Sequence, residues 1–218
     1  LLASHDSIPY TASALAFMME NLGKPIVISD KDLLGTLKLA SKTTIAEVMV
    51  ASKDKLLRGC RTVSNSDKDF GSPNCPKLSS NNKLASSKDV FQPKLLDPTV
   101  KIIVVKLYPG MTVADFASQL NVKGLQGVIL EVWGEGWVPP SPEFLKLIQT
   151  LTTEKKVVFV AVSQYDDINK EVVLSPPLEE VGVLPGHDLT TSAAYAKLLF
   201  ILSSVQDCKL ARQLMNIN

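Results

Sequence analysis

Apolar and polar positions along this chain switch between two periods, and the switches mark out its elements. From about Thr11 to Leu22, Ala12, Leu15, Phe17, Met18, Met19 and Leu22 form the wide apolar stripe of a helix. Gly23 and Pro25 close it. A short apolar strand, PIVISD, follows, then a helical DLLGTLKLA and a strand AEVMVAS, which LLRGCRTV leaves through a turn. From about Ser64 to Pro98 the periodicity is lost in a stretch rich in Ser, Asn, Lys, Gly and Pro. This reads as a long loop or linker, of a kind uncommon inside one compact domain.

Beyond it, KIIVVKLYPG predicts a fully buried strand ending in a Pro-Gly turn, and TVADFASQL a helix. GLQGVILEVWGEG reads as a strand leaving through glycines, SPEFLKLIQTL as a helix, KVVFVAVSQ as a buried strand and TTSAAYAKLLFILSSV as a final helix. The SPEFLKLIQTL helix has a legible start. Ser141 is a capping residue, Pro142 suits the first helical position and Glu143 suits the positive end of the dipole. Continuous apolar strands alternating with helices imply parallel sheets covered on both faces, hence an α/β chain, here split into two domains near the polar linker.

Composition narrows the function classes. The 218 residues are 45% hydrophobic and 21% charged, enough to bury a real core. The 23 basic and 22 acidic residues leave a net charge of +1, which argues against nucleic acid or an anionic membrane as the main partner. The longest apolar runs are strand-sized, short of the roughly 18–20 residues that span a bilayer, so no membrane insertion is expected. No charged segment leads into an apolar run at the start, so no signal or transit peptide is visible. Yet the chain opens on Leu1 rather than Met, and an upstream segment is expected. Three cysteines (Cys60, Cys75, Cys208) without C-x-x-C spacing point to a reducing compartment with neither disulfide framework nor zinc knuckle. The cytoplasm is the expected location, with mitochondrial or ciliary settings left open. With His5 and His187 as the only histidines, no His-rich metal site is expected, and no cofactor either.

Candidate chemistry sits at the ends of strands, where α/β sheets bind ligands. VISD, LYPG and VWGEGW are such ends. The Gly-x-Gly of the last lacks the third glycine of a dinucleotide fingerprint and reads as a turn. His5-Asp6-Ser7 holds the letters of a hydrolytic triad, but three adjacent side chains cannot converge as a triad must, and Asp6 or Ser7 suits a helix cap. Cys60 lies between Arg58 and Arg61, a setting that lowers a thiol pKa, but nothing places a histidine beside it and an inert thiol is expected. The adjacent acids Asp166-Asp167 and Glu179-Glu180 read as solvated loop residues.

Several stretches together resemble the bacterial type I, cytosolic-type L-asparaginase family and its animal cytosolic relatives. SHDSIPYTASALAFMMENLGKP is similar to the second half of the family's G-T-D-T-M-x-Y-T-A-x-x-L-x-F-M-L-E-N-L-x-K-P. DKLLRGCRT and FGSPNCPKL, VVKLYPGM, LQGVILEVWGEGWVP and VGVLPGHDLTTSAAYAKLLFILS match further family segments in order and spacing. The resemblance implies an incomplete flavodoxin-like, doubly wound N-terminal domain (1–80), a linker (81–98) and a smaller Rossmann-like C-terminal domain (99–218). It also implies a threonine that attacks a side-chain amide, supported by a second Thr-Asp-Lys group.

This chain departs from that pattern at the reacting positions. The family's T-G-G-T-I loop would fall upstream of Leu1. The reactive Thr of the second motif is His5, Asp6 is kept, and the Thr after it is Ser7. The Lys of R-x-T-K falls at Ser64, removing the cation that depresses its partner's pKa. Trp137 stands at the Asn of G-x-G-N, and Tyr165 at the Cys of the effector-binding T-Q-C. His5, Asp6, Ser7 and Ser64 are therefore expected to be relics of a catalytic site, and Trp137 and Tyr165 altered substrate- and effector-site positions. The expectation is a catalytically inactive asparaginase-like subunit of a larger assembly, whose partners are other protein chains, a homologous asparaginase-like subunit among them. Trp133, Trp137 and Tyr165 then form either a protein-binding surface or a filling for an unused cleft. The alternatives are an active amidohydrolase with its nucleophile upstream of Leu1, and a small-molecule sensor, against which Tyr165 weighs.

Overall fold

The computed structural model describes residues 49–52, 55–58, 63–64, 70–71, 95–133, 141–164, 172 and 174–216. In the first part these are backbone ladders. Strands β1 (Met49–Ser52) and β2 (Lys55–Arg58) pair antiparallel, with Ser52 opposite Lys55. Strands β3 (Val63–Ser64) and β4 (Phe70–Gly71) also pair antiparallel, with Ser64 opposite Phe70. Two expectations are corrected here. LLRGCRTV contributes strand residues rather than only a turn, and ordered pairing extends into the stretch read as patternless. A hairpin closes an antiparallel pair whatever the polarity of the surrounding sequence, and strands of two to four residues are too short for periodicity to register.

From Lys101 the chain builds one four-stranded parallel sheet in sequential order. It consists of β5 (Lys101–Lys106), β6 (Leu125–Val132), β7 (Val158–Ser163) and β8 (Leu184–Pro185). The crossovers carry α1 (Val113–Leu120), α2 (Pro142–Thr153) and the short α3 (Pro176–Glu180). Strands added in one direction by crossovers of one hand place all three helices on the same face. The opposite face is covered after β8, by α4 (Thr191–Ser204) and α5 (Cys208–Met215).

The period-2 alternation of β6 and β7 divides two cores accordingly. Val128, Leu130, Val132, Phe159 and Ala161 pack with Phe116, Phe144, Ile148 and Leu178 of the crossover helices. Ile129, Val158, Val160 and Val162 pack with Ala193, Ala194, Leu198 and Ile201 of α4 and Met215 of α5. The alanines of α4 let it lie close to the sheet, and Gly127 completes the fit. A Cβ at Gly127 would stand 2.7 Å from Leu198 Cδ2.

KIIVVKLYPG is not the fully buried strand that its apolar run predicts. Its strand β5 is an edge of the described sheet, with Val105 buried but Val104 43% exposed. Continuous apolarity reports two covered faces only where a strand has neighbours on both sides. The strand does end in the predicted turn: Met111 N–H donates to the Tyr108 carbonyl at 3.1 Å, and Gly110 takes φ +84°.

The helix starts are chemical as well as geometric. Ser141 Oγ accepts from Phe144 N–H, and Thr190 Oγ1 accepts from Ala193 N–H at 3.1 Å. At α1, Thr112 Oγ1 accepts from Asp115 N–H at 3.1 Å, while Asp115 Oδ2 accepts from Thr112 N–H at 3.0 Å, a reciprocal capping box. The Thr112 hydroxyl, and then its N–H, hold the Asp115 carboxyl below its ordinary pKa. A depressed carboxylate stabilises the fold above its unfolded pKa and loses that contribution as pH falls through the folded value. Asp115→Asn is therefore expected to flatten the acid limb of stability. The check is the urea midpoint of both proteins from about pH 5 downwards, where the wild type falls more steeply.

Candidate functional site

The carboxyl edge of the parallel sheet is where an open α/β layer presents ligands with strand-end carbonyls and helix N-termini. In this chain four segments meet there. They are Leu107 after β5, Glu131 to Trp133 at the end of β6, Ser163 and Gln164 at the end of β7, and Gly186 to Thr191 between β8 and α4. Gly186 N–H donates to Ala161 O at 2.7 Å, which fastens the last segment to β7. A turn follows in which Leu189 N–H donates to Gly186 O at 2.9 Å and His187 takes φ +51°, a left-handed conformation open to His at a cost of about 1–2 kcal/mol. Asp188 is buried beside it, with 8% exposure.

Two polar contacts organise this edge. Thr191 Oγ1 donates to Glu131 Oε1 at 2.7 Å, from the first residue of α4 to the end of β6. The first turn of α4 carries no acidic residue, so Glu131 supplies from the sheet the negative charge that the dipole favours. The second contact is the side chain of Gln164. Its Nε2 donates to the carbonyls of Leu107 and Glu131, both at 2.6 Å, and its Oε1 accepts from Trp133 Nε1 at 2.9 Å. Three strand ends are tied by one amide.

The chain matches two family models, "Asparaginase, N-terminal" over residues 4–90 and "Glutaminase/Asparaginase C-terminal domain" over residues 101–215. The chain belongs to the glutaminase/asparaginase family. It is 29% identical to L-asparaginase 1 of Escherichia coli K12 over all of this chain and 72% of that protein. It is 28% identical to the L-asparaginase of Dirofilaria immitis, over 95% of this chain and 39% of that one. A glutamyl-tRNA(Gln) amidotransferase subunit of Pyrococcus horikoshii is 29% identical over 98% of this chain and 56% of its own. This asparaginase-family chain thus spans from 39% to 72% of these relatives' lengths. The crystal structure of L-asparaginase I from Vibrio cholerae superposes with a TM-score of 0.75 at 30% identity, covering 99% of this chain and 72% of that one. The asparaginase-like α/β fold is thereby established.

Most of the sequence-derived site residues fall outside the described part of the chain. His5, Asp6, Ser7, Trp137 and Tyr165 lie outside the described residues, as do Cys60, Asp166 and Asp167. Ser64 lies in β3, paired with Phe70. Glu179 and Glu180 are exposed on α3, and no group of three or more potential ligands that could hold a metal occurs among the described residues. Cys208 is a free thiol whose Sγ donates to Lys156 O at 3.1 Å. Among the described residues no helix is long and apolar enough to cross a membrane.

Trp133 is the one described member of the aromatic set Trp133, Trp137 and Tyr165. It is half-buried, and its indole N–H donates to Gln164 Oε1; Trp137 and Tyr165, grouped with it in the sequence reading, lie outside the described residues. Sequence reasoning missed Glu131, Gln164 and Thr191. Glu131 had a signal, since it is the one charged residue in the apolar LQGVILEV strand. Gln164 had none, because its partners are 33 and 57 positions away.

Proposed function

We propose that this protein is a catalytically inactive member of the asparaginase family that serves as a structural or interaction subunit of a larger assembly. The observation that carries this reading is the pair His5 and Ser64, standing where the family's motifs have a reactive threonine and a lysine. An imidazole at the first position replaces the hydroxyl, and a serine at the second removes the cation. Loss of a single member of such a constellation costs on the order of 10³–10⁶ in rate. The described carboxyl edge supports the reading as well. Its polar side chains Gln164, Glu131 and Thr191 are hydrogen-bonded to one another or to strand ends. The partners we propose are other protein chains, with a homologous subunit first among them; one relative, the Pyrococcus amidotransferase chain, is itself named a subunit. Residues 1–80 and 99–218 are proposed as the two domains, joined by 81–98, in a cytoplasmic setting.

A second reading, an active amidohydrolase, is favoured by the L-asparaginases matched over 95% or more of this chain. Ammonia release from millimolar asparagine and glutamine by the full-length natural protein separates the two. The control is an active asparaginase with its nucleophilic Thr replaced by Ala. The expected rate is no higher than that control. Turnover above it overturns the inactive reading.

A further inference from the structure

A primary carboxamide has two N–H donors and one carbonyl oxygen. At Gln164 both donors and one lone pair are used, on Leu107 O, Glu131 O and Trp133 Nε1. The amide has only one acceptable orientation. Reversed, its oxygen would face two carbonyls and its NH₂ an indole N–H, so the network itself assigns the two ends. The backbone N–H of Gln164 also donates to Val132 O at 3.0 Å, which fixes the base of the side chain. The three partners come from the ends of β5 and β6, which are paired to each other, with Leu107 N–H on Glu131 O at 3.1 Å. The two carbonyl acceptors are therefore held by strand pairing as well as by the glutamine.

We propose that these three groups form a binding position for a small primary carboxamide, and that the chain's own Gln164 occupies it as a permanent internal ligand. Two acceptors and one donor converge on a volume that matches the acetamide portion of the glutamine side chain. While Gln164 is in place, no free amide binds at this edge. Trimmed to alanine, the chain presents the same three groups to a cavity that acetamide fills. This assignment goes beyond the proposed function and is independent of whether an amide is hydrolysed elsewhere in the molecule.

The test is thermal unfolding of the full chain, wild type and Gln164→Ala, with and without acetamide at tens of millimolar. N,N-dimethylacetamide and acetate serve as probes that lack both N–H donors. Gln164→Ala is expected to melt lower than wild type and to regain on the order of 3 °C with acetamide, saturably and with neither control compound. Wild type is expected not to respond. An equal acetamide shift in wild type, an equal shift with dimethylacetamide, or no shift in folded Gln164→Ala overturns the proposal. A second measurement needs no variant. In ¹⁵N-labelled wild type the Gln164 side-chain amide protons are expected to exchange with water at least about tenfold more slowly than those of exposed Gln149. Exchange at the Gln149 rate overturns the occupied site.

Discussion

Gly186→Ala is expected to lower the stability of the protein by about 2–4 kcal/mol, read as a fall in the urea midpoint at unchanged slope. The reason is proximity. A Cβ at Gly186 would stand 2.6 Å from the Ala161 carbonyl oxygen and 2.8 Å from Val162 Cγ1. The first is backbone of β7, in the middle of the sheet, and cannot rotate away. Relieving the clash means moving the segment, which stretches the 2.7 Å bond from Gly186 N–H to the same oxygen. That bond carries the turn leading to Asp188 and α4, so the site edge moves with it. Gly110→Ala is the control, because Gly110 has φ +84° but open space around it. It should cost only about 1–2 kcal/mol, the conformational penalty alone. A Gly186→Ala protein no less stable than Gly110→Ala would mean that the segment yields easily, against the close packing described above.

Phe144→Ala is expected to cost about 3–5 kcal/mol, a large share of the roughly 5–15 kcal/mol by which a domain is stable. Phe144 is 1% exposed, and its ring lies 4.2 Å, centroid to centroid, from that of Phe116, itself fully buried. The pair joins α2 to α1 across the face that Leu130 and Phe159 cover from below. Deleting one ring removes apolar contact and leaves a cavity walled by sheet residues that cannot collapse into it. Denaturant unfolding of Phe144→Ala, Phe116→Ala and the double variant measures the coupling, expected at about 0.5–1.5 kcal/mol. A single-variant cost below about 1 kcal/mol would show that the helices close over the gap.

Much of the C-terminal layer was legible because its determinants are local. Ser141-Pro142-Glu143 predicts the start of α2, and the observed helix begins at Pro142 with Ser141 as its cap. KVVFVAVSQ predicts a buried strand, and β7 is buried along Val158–Val162, since it has neighbours on both sides and helices on both faces. The short α3 and α5, the two-residue β8 and the hairpin of β1 and β2 escaped notice. The α3 helix, β8 and the paired strands are too brief for a period to show. In contrast α5, as long as α1, carries an amphipathic pattern that was passed over, and it is tied to the fold by Arg212, which donates to the Gly182 carbonyl at 2.6 Å.

The candidate site divides along the same line. The identities of His5, Asp6, Ser7 and Ser64 are facts of sequence, and the order of the motifs along the chain carries the family. That successive strand residues take opposite faces of the sheet also follows from the chain alone, because a strand alternates with period two. What the chain alone did not contain is that β5 lies at an edge and that Gln164 reaches Leu107 and Glu131 while Trp133 turns inward to meet it. Those features exist only once parallel strands from distant segments stand side by side, because a hydrogen bond between side chain and strand end is fixed by spatial neighbours and leaves no period in the sequence.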